Sequence, residues 1–326
     1  MDEAFLILDS NIIDQAGVSS SKKISLVASE SLKQLSTIDE IARAMREVGI
    51  VREDKIVAVG GGVIQDVATL IASLYMRGID WEYFPTTLTG MIDSCIGGKS
   101  SINSGSFKNT LGNVYPPKSI VIDTRFIETL GHVDLLSGLS EGVKICFARS
   151  EDAFRSFLSN PASKTPANDQ NTQNLIRLSL ESKKWFVEID EFDKGNRRLL
   201  NFGHTFGHAF ETASGFRVPH GLAVALGMLA ATNSRFVSPN PRTIQLRDYC
   251  KWLVLQWEGR FHALDTIDWG KFEEAIISDK KNDTKFINLI LVDNDGRLTI
   301  KSFEKSITTM NLILDSSLES TTEMLN

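Results

Sequence analysis

The stretch KIVAVGGGVIQD, residues 55–66, decides the fold. Residues 56–59 are apolar and mostly β-branched, which predicts a buried strand, and Gly60, Gly61 and Gly62 predict a tight turn. Residues 63–75 then have the apolar spacing of a helix. A strand, a glycine turn and a helix in this order are typical of the nucleotide-binding half of a parallel α/β domain.

Outward from this stretch, the first third of the chain alternates strands with a helix. The predicted strands are residues 5–8, 24–27, 81–84 and 120–122. Residues 38–48 predict an amphipathic helix, with Thr37 and Glu40 spaced as a capping box at its start.

After about residue 123 the pattern becomes mostly helical. The predicted helices are residues 128–149, 173–189, 203–214, 222–236 and 269–277. Residues 159–174 are polar with two prolines and predict an exposed loop, and the Ser/Thr/Glu-rich tail from Ser316 predicts a fraying end. We therefore expect an α/β protein with a Rossmann-like parallel-sheet domain, residues 1–128, and a mostly α-helical domain, residues 129–326.

Composition excludes several classes of protein. With 326 residues, 42% of them hydrophobic, the chain can bury a full core, and its net charge of −6 argues against nucleic acid or an anionic membrane as partner. The longest uncharged apolar runs are about half the roughly 20 residues of a spanning helix. The acidic start lacks the charge of a secretory signal, so we expect a cytoplasmic protein. Three scattered cysteines without a CxxC pair indicate neither a disulfide framework nor a thiolate metal site.

Two clusters in the first domain could bind anions. Glycines 60–62 let backbone N–H groups approach a phosphate at the helix start, which suggests a dinucleotide, although such glycines are often only a structural turn. Two lysines, Lys99 and Lys108, with Asn109 and nearby Asp93, could surround a phosphorylated substrate. The alternative for the lysines is an ordinary solvated surface.

The histidines carry the strongest signal. His204 and His208 lie at i and i+4, hence on one helix face, and His220 follows, so three of the five histidines fall within seventeen residues. This arrangement favours a metal site over satisfied core histidines. No carboxylate is local to the set. Glu141 is three residues before Lys144 on another predicted helix, where a surface ion pair is the alternative interpretation.

These motifs together resemble the 3-dehydroquinate synthases and the wider sugar-phosphate cyclase family. The resemblance extends over roughly residues 24–300. It rests on GGGVIQD at 60–66, YMRG at 75–78, PTT at 85–87, DSCIGGK at 93–99, KN at 108–109, EGVK at 141–144, and LNFGHTFGH at 200–208 with His220.

The resemblance implies an NAD-binding first domain and a metal-binding second domain. It assigns a zinc (or cobalt) ion to Glu141, His204 and His220, and moves His208 to the substrate phosphate, whereas helical spacing alone would pair His204 with His208. The residues it assigns to NAD are Gly60, Gly61, Gly62, Asp66, Thr86, Thr87 and Lys108, with Asp9, Glu30 and Lys33 at the positions for adenosine.

The remaining implied roles concern the substrate, a small phosphorylated sugar acid. Its phosphate is assigned to Lys99, Asn109, Asn201, His208 and either Lys280 or Lys281, with Arg77 supplied by the other subunit of a homodimer. Its hydroxyls and carboxylate are assigned to Asp93, Lys144, Lys183 and Arg197. Gln65 stands where these synthases usually have glycine.

The implied activity is that of a phosphate-eliminating lyase of the shikimate pathway, which leads to the aromatic amino acids. The substrate, 3-deoxy-arabino-heptulosonate 7-phosphate, is transiently oxidised by NAD, loses phosphate by β-elimination, is reduced again and closes by an intramolecular aldol step to 3-dehydroquinate. One alternative is a cyclase that acts on sedoheptulose 7-phosphate or glucose 6-phosphate in a secondary pathway. Another is a metal-dependent polyol dehydrogenase, which would need no phosphate pocket.

Overall fold

The computed structural model describes residues 4–12, 20–105, 107–279 and 281–325, without the side chains of residues 107 and 108. The chain divides into two compact units. The first comprises Met1–Gly131 and Pro161–Phe192, and the second comprises His132–Asn160 and Asp193–Asn326.

A five-stranded parallel sheet forms the centre of the first unit, in the order β2-β1-β3-β4-β7. Its strands are β1 (Ala4–Asp9), β2 (Lys23–Leu26), β3 (Lys55–Gly60), β4 (Asp80–Pro85) and β7 (Ser119–Ile120). Leu8 pairs with Val59 and Gly60 with Pro85, so the carboxyl ends of β1, β3 and β4 lie at one edge. That edge is where open parallel sheets bind ligands.

Helices and short turns complete the first unit. They are α1 (Leu35–Glu47), α2 (Gly62–Leu74), α5 (Gln170–Ile189), the 3-10 segments Ser10–Ile12, Glu30–Leu32, Tyr75–Arg77, Thr124–Thr129 and Pro161–Ser163, a π-helical turn Gly90–Ser94, and a hairpin of β5 (Ile102–Ser104) and β6 (Phe107–Leu111). Strand residues such as Phe5 and Ile56 pack with Ile41 of α1 and Val67 of α2 in one core. The core therefore holds α2, and with it the glycine turn, against the sheet.

The second unit is mostly helical. It contains α3 (His132–Arg149), α4 (Glu151–Ser159), the 3-10 segment Asn196–Asn201, α6 (His204–Ala213), α7 (His220–Ala231), α8 (Pro241–Leu255), α9 (Arg260–Asp265), α10 (Trp269–Ser278), the hairpin β8 (Phe286–Val292) and β9 (Leu298–Glu304), and α11 (Ile307–Leu325).

Glycines bring three of these helices into backbone contact. A Cβ on Gly227 of α7 would lie 2.0 Å from the carbonyl oxygen of Gly203, which precedes α6 with a φ of 77°. A Cβ on Gly221 of α7 would lie 2.4 Å from the Cα of Ser137 in α3. Only glycine permits such close approach, so α3, α6 and α7 meet more closely than helices with side chains between them.

The predicted fold class is confirmed: a parallel α/β unit is accompanied by a mostly helical one. Three local predictions are wrong. Residues 159–174 are not an exposed loop throughout, because Ala162 and Ser163 are buried in a 3-10 segment and α5 begins at Gln170. Thr37 does not cap α1, because the helix begins at Leu35 after the N-cap Gln34 and buries Thr37 inside. The tail from Ser316 does not fray, because it belongs to α11, where the buried Ser316 and Ser320 hydroxyls donate to backbone carbonyls of their own helix.

The compact units differ from the predicted domains, residues 1–128 and 129–326, in one segment. Pro161–Phe192, which includes α5, belongs to the first unit although it follows α3 and α4 in the chain. The π-helical turn Gly90–Ser94 packs against α5, which ties this excursion to the sheet unit. The division into domains at residue 128 remains a prediction.

No helix within the described parts of the chain is both long and apolar enough to cross a bilayer.

Candidate functional site

Three side chains of the second unit form a compact set of metal-type donors. Glu141 of α3, His204 of α6 and His220 of α7 each place one donor atom within 4.8 Å of the others. The Nε2 atom of His220 lies 3.5 Å from Glu141 Oε1, and the Nε2 atom of His204 lies 3.9 Å from it. Ligands of one tetrahedral zinc ion are separated by about 3.4 Å, because each bond measures about 2.0–2.2 Å. The set therefore has the dimensions of a zinc site.

The carboxylate of this set is incomplete without a cation. Glu141 is 1% exposed, and its Oε1 atom is buried without a hydrogen-bond partner. Its Oε2 atom pairs with Lys144 Nζ, and the lysine is equally buried, so the pair is not the surface ion pair weighed from the sequence. An unsatisfied carboxylate oxygen in the interior is costly, and a bound cation would remove that cost. The residues present fit the implied metal.

Both histidines are oriented by hydrogen bonds at the other ring nitrogen. His204 Nδ1 lies 3.3 Å from the carbonyl oxygen of Phe202, and His220 Nδ1 lies 3.3 Å from Glu211 Oε2. Both oxygens are acceptors, so each Nδ1 donates, which leaves each Nε2 as the ring atom available to a cation. Such outer partners fix the tautomer of metal-binding histidines. The prediction that no carboxylate is local to the histidines is wrong, because Glu211 contacts His220; its position three residues after His208 on the same helix was a usable signal.

The pKa values of the histidines follow from their surroundings. Burial, with Lys144 nearby, holds the pKa of His204 well below its ordinary value, and burial with Lys281 nearby lowers the pKa of His208 to about 4. For His220, burial acts downward, but the hydrogen bond and charge of Glu211, together with Glu141, raise its pKa overall. His204 and His208 are therefore neutral imidazoles at pH 7.

His208 and Lys281 lie beside the metal set. The His208 ring centroid is 5.4 Å from that of His204 and 6.0 Å from that of His220. Lys281 Nζ lies 3.4 Å from Thr205 Oγ1 and 3.0 Å from Asp279 Oδ2. A second possible donor set, His208 with Glu211 and His220, is also geometrically compact. The orphaned oxygen of Glu141 favours the set that contains His204.

The two other predicted substrate residues of this unit lie in the 3-10 segment that precedes α6. Arg197 is 3% exposed, and Asn201 donates from Nδ2 to the carbonyl oxygen of Arg198 at 3.1 Å. A buried guanidinium is the donor best suited to a carboxylate.

In the first unit, the glycine turn joins β3 to α2. Gly61 is the N-cap of α2 without a side-chain cap, and a Cβ on it would lie 2.8 Å from Thr87 Cγ2. A Cβ on Gly62 would meet no heavy atom within 4 Å, so the turn is open on that side. Thr86 donates its backbone N–H to the Gly60 carbonyl at 3.0 Å. An open helix start with uncapped N–H groups is suited to a phosphate.

A charged cluster follows on the same unit. Asp66 Oδ2 lies 3.0 Å from Lys33 Nζ, and Lys33 also donates to Asn109 Oδ1 at 2.7 Å. Burial raises the pKa of Asp66 to about 6, and Lys33 offsets only part of that effect. Glu30 lies 3.6 Å from Lys33, and the buried Asp9 ends β1. Asn109, assigned to phosphate by resemblance, is thus placed with residues assigned to NAD.

Asp93 and Lys183, both assigned to substrate, are brought together in the first unit. Asp93 Oδ1 lies 2.6 Å from Lys183 Nζ, which also donates to the Asp93 carbonyl oxygen. The side chains are 20% and 9% exposed. Asp93 belongs to the π-helical turn and Lys183 to α5, so the excursion of α5 into this unit forms the pair.

The remaining predicted residues are exposed or outside the description. Lys99 is exposed, and its backbone forms an isolated antiparallel β-bridge with Val114. Arg77 is exposed in a left-handed run with φ values of 48° at Met76, 67° at Arg77 and 121° at Gly78. The Lys108 side chain and Lys280 lie outside the described residues.

Comparison of the chain with models of known protein families identifies its family. The model for the 3-dehydroquinate synthase N-terminal region matches residues 23–137, and the model for the C-terminal region matches residues 138–282. The chain belongs to the 3-dehydroquinate synthase family. Among the curated members, 3-dehydroquinate synthase from Leuconostoc mesenteroides is 36% identical over 279 residues, which are 84% of this chain and 77% of that protein.

Solved structures of cyclases have the same fold as this family member. A 2-deoxy-scyllo-inosose synthase complexed with carbaglucose-6-phosphate, NAD+ and Co2+ is 26% identical, with a TM-score of 0.81 over 98% of this chain and 91% of that one. A 2-epi-5-epi-valiolone synthase from Streptomyces hygroscopicus, with NAD+ and Zn2+ bound, is 23% identical with a TM-score of 0.80 over 98% and 91% of the two chains.

Proposed function

We propose that this member of the 3-dehydroquinate synthase family converts 3-deoxy-arabino-heptulosonate 7-phosphate into 3-dehydroquinate and phosphate, as a lyase of aromatic biosynthesis. The observation that carries the proposal is the donor set of Glu141, His204 and His220 with its orphaned carboxylate oxygen. When bound, zinc or cobalt would polarise substrate hydroxyl groups, and NAD would remove and return a hydride.

The protein's own residues bind and orient the substrate in this proposal. In the second unit, His208 and Lys281 are the phosphate residues, since a neutral imidazole donates a hydrogen bond and the ammonium neutralises charge. Lys144 holds Glu141 in place through Oε2. In the first unit, Lys183 and Asp93 bind substrate oxygens. Holding the reacting groups in one geometry supplies much of the rate of such eliminations and ring closures.

Arg197, together with Lys183, favours an acid substrate over the other substrate classes. Sedoheptulose 7-phosphate and glucose 6-phosphate have no carboxylate, whereas the heptulosonate has one that a guanidinium can bind bidentately. The likeness to 2-deoxy-scyllo-inosose synthase keeps a cyclase without an acid substrate as the second candidate.

A phosphate-release assay separates the two candidates. The purified protein, supplied with NAD and zinc, should release phosphate from the heptulosonate and not from the two sugar phosphates. Release only from a sugar phosphate would assign the protein to the second candidate. Net accumulation of NADH with a simple polyol would instead indicate a dehydrogenase.

We also infer a cytoplasmic location and a homodimer. The three cysteines are buried free thiols, which fits a reducing compartment. Arg77 is exposed on a left-handed segment, and the strain of Met76 and Arg77 is typical of functional positions. Arg77 would then complete the phosphate site of the partner subunit.

Complementation tests the shared site. Inactive Arg77→Ala and His204→Ala chains should regain activity when mixed dimers form, because about half of the sites in such dimers carry neither change. Absence of recovery in confirmed mixed dimers would refute a contribution in trans.

A further inference from the structure

Gln65 is a buried polar residue to which neither the metal set nor the glycine turn gives a role. It lies in α2, directly before Asp66, and is 4% exposed. Its Nε2 atom donates to the carbonyl oxygen of Ser94 at 2.6 Å, and its Oε1 atom accepts from the Ser94 hydroxyl at 2.6 Å. Both ends of the amide are thus used on one residue, twenty-nine positions away in the chain.

Ser94 is the last residue of the π-helical turn Gly90–Ser94. The turn is closed by a hydrogen bond from Cys95 N–H to the Gly90 carbonyl at 3.1 Å, five residues apart. Single π-turns are rare and are frequent at functional sites. The Gln65 amide holds the end of this turn on α2, while the Thr87 hydroxyl accepts from Gly90 N–H at its start.

The residue before Ser94 is Asp93, whose carboxylate meets Lys183. Asp93 and Ser94 share a peptide group. A rotation of that peptide group would therefore redirect the Asp93 side chain. Gln65 is therefore connected to the Asp93–Lys183 pair through a single residue, Ser94.

We propose that Gln65 is a positioning residue: through Ser94 it fixes the π-helical turn and so directs Asp93 and Lys183 towards the substrate. The inference rests on the proposed function, in which that pair binds substrate oxygens. Glutamine suits the role because the two hydrogen bonds to Ser94 need a donor and an acceptor at the end of a side chain with two methylene groups. Asparagine is too short to reach from the same backbone position, and an ionised glutamate has no donor.

The test compares two buried substitutions on α2. Gln65→Met keeps length and loses both hydrogen bonds. Thr69→Val is the matched control, because Thr69 is also buried, lies one turn further along α2, and its hydroxyl donates within its own helix, to the Gln65 carbonyl at 2.8 Å. We expect Gln65→Met to lower kcat/KM for the heptulosonate by about 10- to 100-fold, as small misplacements of binding groups do, with the dissociation constant of NAD unchanged. Thr69→Val should leave kcat/KM within about twofold of wild type.

A second measurement does not depend on the reaction. Hydrogen exchange, followed by mass spectrometry on peptides that contain residues 90–95, should accelerate in Gln65→Met and remain as in wild type in Thr69→Val. Ser94→Ala, which removes one of the two bonds, should give an intermediate acceleration. A double-mutant cycle of Gln65→Met with Ser94→Ala should be non-additive.

The outcomes separate this inference from the proposed function. If wild type releases no phosphate from the heptulosonate, the proposed function fails. Accelerated exchange at residues 90–95 in Gln65→Met would still show that Gln65 holds the π-helical turn. Unchanged exchange in Gln65→Met, or equal losses of kcat/KM in Gln65→Met and Thr69→Val, would overturn the positioning role. A weakened NAD affinity as large as the loss in kcat/KM would also overturn it, since the effect would then act through the glycine turn.

Discussion

Two buried charged clusters, one in each unit, differ in how well their charges are compensated. In the first unit, Asp66 meets Lys33, and Lys33 also meets Asn109, so each group has a protein partner. In the second unit, Glu141 has a partner at Oε2 only, and its Oε1 atom is orphaned between two imidazole nitrogens.

The difference shows which of the two sites is built to receive a cation. In the first cluster both carboxylate oxygens of Asp66 have partners within the protein, Lys33 at Oδ2 and the Ser101 N–H at Oδ1, so the group needs no added ion. In the second cluster Lys144 already neutralises Glu141, but Oε1 still lacks a partner, as expected of a ligand whose coordination energy is part of the folding energy. Removing a residue should therefore have unlike consequences in the two clusters.

The largest effect is expected at Glu141. Glu141→Gln keeps the shape and removes the charge that a cation needs, so activity should fall by about a thousandfold or more, and zinc should be lost on dialysis. Metal content and phosphate release measure the two effects. Glu188→Gln, an exposed change on α5, is the control and should retain both. Stoichiometric zinc in dialysed Glu141→Gln would contradict the assignment.

The next effect distinguishes two histidines of one helix face. His204→Ala should lose both metal and activity, whereas His208→Ala should keep stoichiometric metal and lose activity by about 100-fold, because it removes only a group that binds the substrate. Atomic absorption on the two purified variants measures the metal content. The opposite pattern, with metal retained by His204→Ala and lost from His208→Ala, would contradict His204 as the ligand and favour the set of His208, Glu211 and His220.

A smaller effect is expected at Glu211, the acceptor for His220 Nδ1. Glu211→Gln weakens that hydrogen bond and makes the imidazole a poorer ligand, so zinc affinity should fall by about 10- to 100-fold. Competition with a chromophoric chelator measures the dissociation constant. The nitrogen chemical shifts of His220 should also report mixed tautomers. Unchanged affinity would mean that Glu141 and His204 suffice to orient the third ligand.

The smallest effect concerns stability and pH at Asp66. Its pKa is raised to about 6 from 3.8, so the protonated carboxyl is favoured in the folded state. The resulting stabilisation is fully present below about pH 4 and is lost as pH rises through about 6, by up to about 3 kcal/mol. In urea unfolding, Asp66→Asn should lose less stability than wild type between pH 4 and pH 7. Asp39→Asn, on the exposed Arg43 pair, should follow wild type. Parallel curves for Asp66→Asn and wild type would contradict the raised pKa.

The sequence predicts local features better than the assembly of the two clusters. Residues 55–66 contain strand, turn and helix within one window, so the glycine turn of the first unit follows directly from them. The i, i+4 spacing of His204 and His208 correctly places both on one face of α6. Which of them serves the metal depends on where α3 places Glu141, and the resemblance supplied that choice.

Side-chain hydrogen bonds between distant elements escaped prediction. The contact of Gln65 with Ser94 depends on a π-turn, which has no periodic signature in the sequence. The helix α11 was missed because serine and threonine have low helix propensity, while their hydroxyls are satisfied within the helix and their small size lets it pack closely.

The glycine contacts between α6 and α7 have a consequence for the variation that this protein tolerates. The separation of His204 from His220 is set by close backbone contacts between α6 and α7 at Gly203, Gly207 and Gly227. Exchange of polar residues beside the metal set, such as Lys281, alters the charge of the site but leaves that separation unchanged. A saturation scan would therefore rank Gly227 among the least replaceable positions, although it has no atom that could bind a ligand. Natural evolution and laboratory selection would therefore change the polar residues beside the metal set and keep the distance between His204 and His220.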